Sequence, residues 1–261
     1  MLSKKITDKW RNDYDKQLSL AEKKLVPQVA RYYREEYFKG VDIFIKTENI
    51  DYITLFKYDD FQKVYLNIYN HTCMRFAFWY FRNSDKYEEK KSANDYTETW
   101  RTAFNHYAGR MAAQNVTLVS GTAKKTLMSV IQKLYRDPDF VSKGADERAR
   151  ILRSKFRQYS RVQALRLVRT ESLRGASYGV EQSALQVYAG RKLKKQWVTF
   201  FDKNTRAAHQ VANNQTVDFE SDFYVGNEYM KRPGEGSDPG NVINCRCSMI
   251  PFPENVKLPF Q

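Results

Sequence analysis

The chain has 261 residues, 42% of them hydrophobic and 15% aromatic, which supplies a core and argues against disorder. Its formal net charge is +14, from 44 Lys and Arg against 30 Asp and Glu, and a surplus of that size favours polyanionic partners. A mean hydropathy of −0.70 suits long helices with much exposed surface. No apolar run approaches the ~18 residues that a spanning helix needs, so no membrane anchor is expected.

The first residues, MLSKKITDKW, have no apolar stretch behind their lysines, so they are not read as a signal peptide and the protein is expected to begin in a cytosol. Pro and Gly are sparse up to about residue 190, where helix formers dominate. Helices are predicted over 8–38, 59–81, 93–113, 124–135, 146–159 and 161–188, with Pro27 kinking or dividing the first. Breaks are predicted over 40–51, 83–91, 117–122 and 137–144, the last carrying Asp137-Pro138. From Lys194 the texture changes. Residues 196–201 are β-branched and aromatic and predict a strand. Residues 202–212 predict a short helix capped by Asp202 or Asn204, followed by a turn at Asn213-Asn214. One or two short strands are expected within 216–225, a Pro/Gly loop over 232–240 and a last strand over 245–250.

The fold class so read is α+β: an elongated, mainly helical N-terminal part followed by a small C-terminal α+β module. The division is placed at residue 160, giving a basic helical region over 1–160 and a long helix plus small α+β unit over 161–261. Residues 191–261 hold 10 basic and 8 acidic residues, so the first 190 carry 34 against 22 and a net of +12. The surface facing a polyanion is therefore expected in the N-terminal part.

Arg150, Arg153, Arg157 and Arg161 are spaced 3, 4 and 4 and share a helical face, with Leu152, Phe156 and Tyr159 on the opposite one. Guanidinium forks match phosphate oxygens, so this stripe is a candidate contact for DNA backbone or an acidic partner; a solvated face is the plainer alternative. In the helix that follows, Arg169 falls within the apolar stripe Val162, Leu165, Val168, Ala176, Val180, Ala184 and Val187. It must snorkel or find a carboxylate, and Asp202 is a candidate. Glu171 lies across the helix, near Leu167, Tyr178 and Leu185. A buried pair that fixes docking is one reading of Arg169-Thr170-Glu171; an ADP-ribosyltransferase-like site is the sharper one, without a second Glu-x-Glu motif to accompany it.

Further on come Trp197, Asp202, Arg206, His209, Cys245 and Cys247. Three cysteines in all, counting Cys73, do not describe a disulfide framework. His209, Cys245 and Cys247 supply three donors suited to a structural zinc, with Asp202 as a fourth. On a regular strand, however, Cys245 and Cys247 would stand about 6.5–7 Å apart, awkward for one metal, and buried free cysteines are the commoner outcome. A Cys–His nucleophile oriented by Asp202 is a further alternative, with no oxyanion site evident beside it.

The segments RLVRTESLRGAS, QWVTFFDKNTRAAHQVANNQTVDF and RPGEGSDPGNVINCRC, in that order, make the chain resemble the Mu F-like phage head morphogenesis family. Its motif positions here are Arg169, Thr170, Glu171, Trp197, Asp202, Arg206, His209, Cys245 and Cys247. One departure is Asn213-Asn214, where the family often has Asp-Gly. The resemblance implies a non-enzymatic minor capsid protein of a tailed bacteriophage. It would associate with the portal protein and the major capsid or scaffolding protein, sit inside the capsid at the portal vertex, contact packaged double-stranded DNA, and take part in ejection. It would pass through the host cytoplasm during assembly. It implies no catalytic residues and no cofactor beyond the candidate zinc. The alternative is a virion-carried ADP-ribosyltransferase-like or nuclease effector; the chain runs only about 14 residues past Cys247, which sets the expectation that no C-terminal effector follows.

Overall fold

A computed structural model describes residues 2–84 and 92–254. The helices are α1 (Lys4–Thr47), α2 (Tyr58–Asn83), α3 (Thr97–Leu134), α4 (Pro138–Val141), α5 (Ala145–Val187), α6 (Ala207–Val211) and α7 (Pro239–Val242). The strands are β1 (Leu193–Val198), β2 (Thr216–Asp218), β3 (Phe223–Val225), β4 (Glu228–Met230) and β5 (Ser248–Pro253). The chain is thus mainly helical with a small C-terminal α+β region, as expected. No described helix is long and apolar enough to cross a membrane.

In the first 190 residues the main helices are longer and fewer than predicted. Pro27 lies inside α1 without dividing it. The break expected at 117–122 is absent, because Ser120 and Thr122 turn their hydroxyls onto the Thr117 and Leu118 carbonyls and so stay within α3. Ser160 does the same to the Phe156 carbonyl, and the two helices expected on either side of it are the single α5. The break at 137–144 is real, although Asp137 caps the short α4 within it. Most of the break expected at 83–91 lies outside the described residues.

The chain forms two compact units, each discontinuous in sequence: Met1–Lys23, Asn67–Tyr107 and Val168–Gln261 make the first, Lys24–Leu66 and Ala108–Leu167 the second. The boundary expected at residue 160 falls inside α5. A long helix can serve two cores, which a division by sequence position does not anticipate. In α1 the buried residues Ile6, Trp10, Tyr14, Leu18 and Ala21 belong to the first unit, and Leu25, Val29, Tyr33, Tyr37, Val41 and Phe44 to the second. In the second unit Tyr37 stacks on Phe156 at 4.7 Å, and Phe56 meets Tyr33 at 5.1 Å.

The first unit carries the sheet. Antiparallel strands lie in the order β2-β1-β5, with Lys195 opposite Val217 on one side and Pro251 on the other. Strands β3 and β4 form a separate hairpin. Its turn residues Gly226 and Asn227 have φ of 60° and 65°, the two successive positive values that a tight hairpin needs. The turn expected at Asn213-Asn214 also holds, with Asn214 at φ 67°. The start of α1 closes this unit: Trp10 donates its indole N–H to Ser248 at 2.9 Å, and the Leu2 backbone N–H donates to Gln196 at 2.8 Å. The C-terminal half of α5 is buried on nearly every side from Thr170 to Ala184. Its Gly179 touches the α2 backbone so closely that a Cβ there would sit 2.4 Å from the Cys73 carbonyl oxygen.

Candidate functional site

The site begins where β1 ends. The Asp202 carboxylate accepts from the Asn204 backbone N–H at 2.8 Å, and the Asp202 N–H donates to Thr205 Oγ1 at 2.9 Å. These bonds fold a polar turn rather than cap a helix. The N-cap of α6 is Arg206, with no side-chain cap bond, which corrects the expected cap at Asp202 or Asn204. The Arg206 guanidinium instead donates to the Ile243 carbonyl at 2.7 Å and joins α6 to the segment after α7. There Asn244 takes a φ of 57° and donates its N–H to Thr170 Oγ1 of α5 at 3.3 Å.

Cys245, Arg246 and Cys247 then run without regular structure into β5, which starts at Ser248, three residues later than predicted. The cysteines are therefore not held at strand spacing. His209 Nδ1 is 3.4 Å from Cys247 Sγ and 3.5 Å from Cys245 Sγ. All three side chains are buried, and His209 packs against the edge of Trp197 with ring centroids 5.8 Å apart. Hydrogen bonds from Cys245 and then His209 hold the Cys247 thiol well below its ordinary range. Cys245 is held well above it, by its bond to Cys247 and by burial. His209 Nε2 has no hydrogen-bond partner among the described residues, and the Asp202 carboxylate is engaged with Asn204 and Thr205. The Asp202–His209–Cys arrangement considered from sequence is not assembled.

These side chains line a cleft of about 490 Å³ together with Asp15, Ser19, Glu22, Arg169 and Arg246. Six of the nine motif positions thus converge on this cleft: Arg169, Asp202, Arg206, His209, Cys245 and Cys247. Arg169 pairs with Glu22 at 3.5 Å, so its carboxylate comes from α1 and not from Asp202. Arg246 donates to Asp15 at 2.9 and 2.5 Å, to Glu22 at 3.2 Å and to Ser19 at 3.2 Å. Sequence reasoning missed these acidic residues. Their spacing of 4 and 3, from Asp15 to Ser19 to Glu22, marks one polar edge of α1 and was the available signal.

Glu171, Thr170 and Trp197 do not line the cleft. Glu171 is 3% exposed. It accepts from Arg174 at 2.9 and 3.1 Å and from the Tyr69 hydroxyl at 2.5 Å. A second buried group lies along α5, where Arg232 pairs with Glu181 and Glu235 and Tyr107 donates to Glu235. The loop over 232–240 is pinned to α5 by Arg174 donating to the Gly234 carbonyl at 2.6 Å and Ser177 donating to the Pro233 carbonyl at 3.1 Å.

The arginine stripe belongs to the second unit. Arg150, Arg157 and Arg161 are exposed and Arg153 is half-buried. Leu152 and Phe156 face the core as expected, but Tyr159 is 40% exposed. The stripe is less free of acid than it reads in sequence: Arg153 pairs with Asp42 of α1, and Arg150 with Glu147 at 3.1 Å. Arg153 and Arg157 both lie over the Phe38 ring at 5.9 Å.

Comparison with known proteins gives two findings. Residues 111–250 match the model of the phage Mu protein F-like family. An NAD(+)–arginine ADP-ribosyltransferase from Enterococcus faecalis (strain ATCC 700802 / V583) is 33% identical over 89 residues, which are 34% of this chain and 18% of that protein. The chain therefore spans less than a fifth of the length of that relative. No solved structure matches.

Proposed function

Since the chain belongs to the phage Mu F-like family, whose work is bacteriophage head morphogenesis, we propose that it is a minor structural protein at the portal vertex inside the capsid, touching packaged double-stranded DNA during assembly and ejection. Its partners in this reading are the portal protein and the major capsid or scaffolding protein. The observation that carries it is the exposed cationic face of Arg150, Arg157 and Arg161. Three guanidinium groups on one helical face, with Arg150 paired to an exposed glutamate, can exchange solvent for phosphate at little cost.

The test is DNA binding as a function of salt. Changing Arg150, Arg157 and Arg161 together to Gln should flatten the dependence of log K on log salt by about 0.9 for each phosphate that is no longer neutralised. The weakening should be uniform across DNA sequences. An unchanged affinity and slope would remove DNA from the reading, and absence of the protein from purified heads would remove the portal vertex as well.

A second reading, ADP-ribosyl transfer, is favoured by the name of the Enterococcus relative. Glu171 was its candidate catalytic carboxylate. Glu171 is held by Arg174 and Tyr69 away from the cleft, which counts against it as the carboxylate that would meet a nucleotide there. Purified protein incubated with labelled NAD and host lysate is expected to transfer no label. Transfer that Glu171→Gln abolishes without unfolding the chain would reverse the ranking.

A further inference from the structure

We propose that His209, Cys245 and Cys247 form a metal site for a borderline-soft divalent cation, zinc. The case begins with geometry. Zinc bonds of about 2.3 Å to sulfur and 2.0–2.1 Å to nitrogen, opened at the tetrahedral angle, place a sulfur and a nitrogen ligand about 3.6 Å apart. His209 Nδ1 stands 3.5 Å from Cys245 Sγ and 3.4 Å from Cys247 Sγ, and the three donor atoms all lie within 4.8 Å of one another. Both nitrogen–sulfur separations thus fit the polyhedron, and the third separation lies within the same 4.8 Å bound.

The chemistry of the donors selects the ion. Two thiolates and an imidazole suit zinc, whereas magnesium and calcium need oxygen ligands, and no carboxylate belongs to the cluster. Two thiolates also balance the charge of a divalent ion, so a buried neutral centre replaces two buried thiols and an imidazole. Nδ1 faces the sulfurs; coordination through it leaves Nε2 as the protonated nitrogen.

The local backbone gives a reason for the ion. Helix α6 has only five residues and no side-chain cap, and the 245–247 segment belongs to no helix or strand. A metal would link the two directly, across 36 and 38 residues of chain. Among the described residues the cluster has three donors, so the fourth position falls to water from the cleft that the same side chains line. Such a position is exchangeable, unlike that of a four-residue structural site.

The experiment uses the full chain, expressed with added zinc and purified without chelators or oxygen. Elemental analysis should find about one zinc per chain. His209→Ala, Cys245→Ser and Cys247→Ser should each lower retention by about tenfold or more, and Cys73→Ala should not. Because those variants could misfold, the unmutated protein is also refilled with cobalt. Thiolate-to-cobalt charge-transfer absorption of two-sulfur intensity is expected, with d–d bands of tetrahedral strength that move when azide is added. Well under one zinc per chain together with no thiolate band overturns the proposal. So does a mass two hydrogens short under these conditions, which would mean a Cys245–Cys247 disulfide, and so does zinc retained by the Cys245→Ser/Cys247→Ser double variant.

Discussion

Lys195 is 1% exposed on the central strand, where its ammonium donates to the Lys231 carbonyl at 2.6 Å and lies over the Phe223 ring at 5.0 Å. Burial lowers its pKa from the ordinary 10.5 to about 8, against the pull of Glu181. Between those values the unfolded chain holds a proton that the folded chain has released, so stability rises with pH through the window. From pH 8 to 9.5 the protein should gain about 1–2 kcal/mol relative to Lys195→Met in denaturant unfolding. Parallel profiles for the two would show that the ammonium is not desolvated. Above about pH 10 the trend reverses, because burial raises Tyr69, Tyr80 and Tyr107 and the unfolded chain then loses protons first. Which side chains carry the site was partly legible. Residue type named His209, Cys245 and Cys247 as candidate donors, but the strand expected over 245–250 held the two cysteines too far apart, and β5 begins only at Ser248. The partner of Arg169 did not, because Glu22 lies 147 positions earlier and no local pattern links them.

At the scale of elements, helix type was legible and helix length was not. The buried steps in α1, from Ile6 through Trp10, Tyr14 and Leu18 to Ala21, repeat every 3 or 4 residues and declare a helix. The Ser/Thr/Gly run at 117–122 reads as a breaker because such residues compete for backbone partners in the unfolded chain; inside a packed helix their hydroxyls find the carbonyl a turn earlier. The two strands expected within 216–225 are β2 and β3, whereas β1 lies at Leu193–Val198, three residues before the strand predicted over 196–201. The strand β4 was missed because its three residues, Glu228–Met230, are too short to show alternation. Gly175 and Gly179 set how closely α5 meets α2. Gly179→Ala would drive a methyl group into the Cys73 carbonyl, with no flexible side chain to yield, and should cost about 2–3 kcal/mol. Gly109→Ala, where the added carbon meets nothing within 4 Å, should be neutral or slightly stabilising. Equal thermal midpoints for the two variants would show that α5 and α2 pack more loosely than described.

At the scale of the whole molecule, the sequence marks the family module but not what completes it. The family match covers residues 111–250, yet Asp15, Ser19 and Glu22 also line the cleft, and the core of that unit runs from Leu2 to Phe252. A reading that places helices first and the module second separates residues that share one interior. The bond from Trp10 to Ser248 joins an early and a late part of the described chain, and the Leu2 N–H bonds to Gln196 of β1, which pairs with β5. That arrangement has a consequence in time. A ribosome delivers Trp10 long before it delivers its hydrogen-bond partner Ser248. Trp10 and Tyr14 can meet Phe76, Trp79 and Tyr80 of α2 early, but the bond to Ser248 must wait while most of the chain is made, and closing so long a loop slows that step. The sheet of the module is thus completed last, when β5 pairs with β1. A host chaperone has its best opening on this chain during that interval, with the first turns of α1 as the exposed surface.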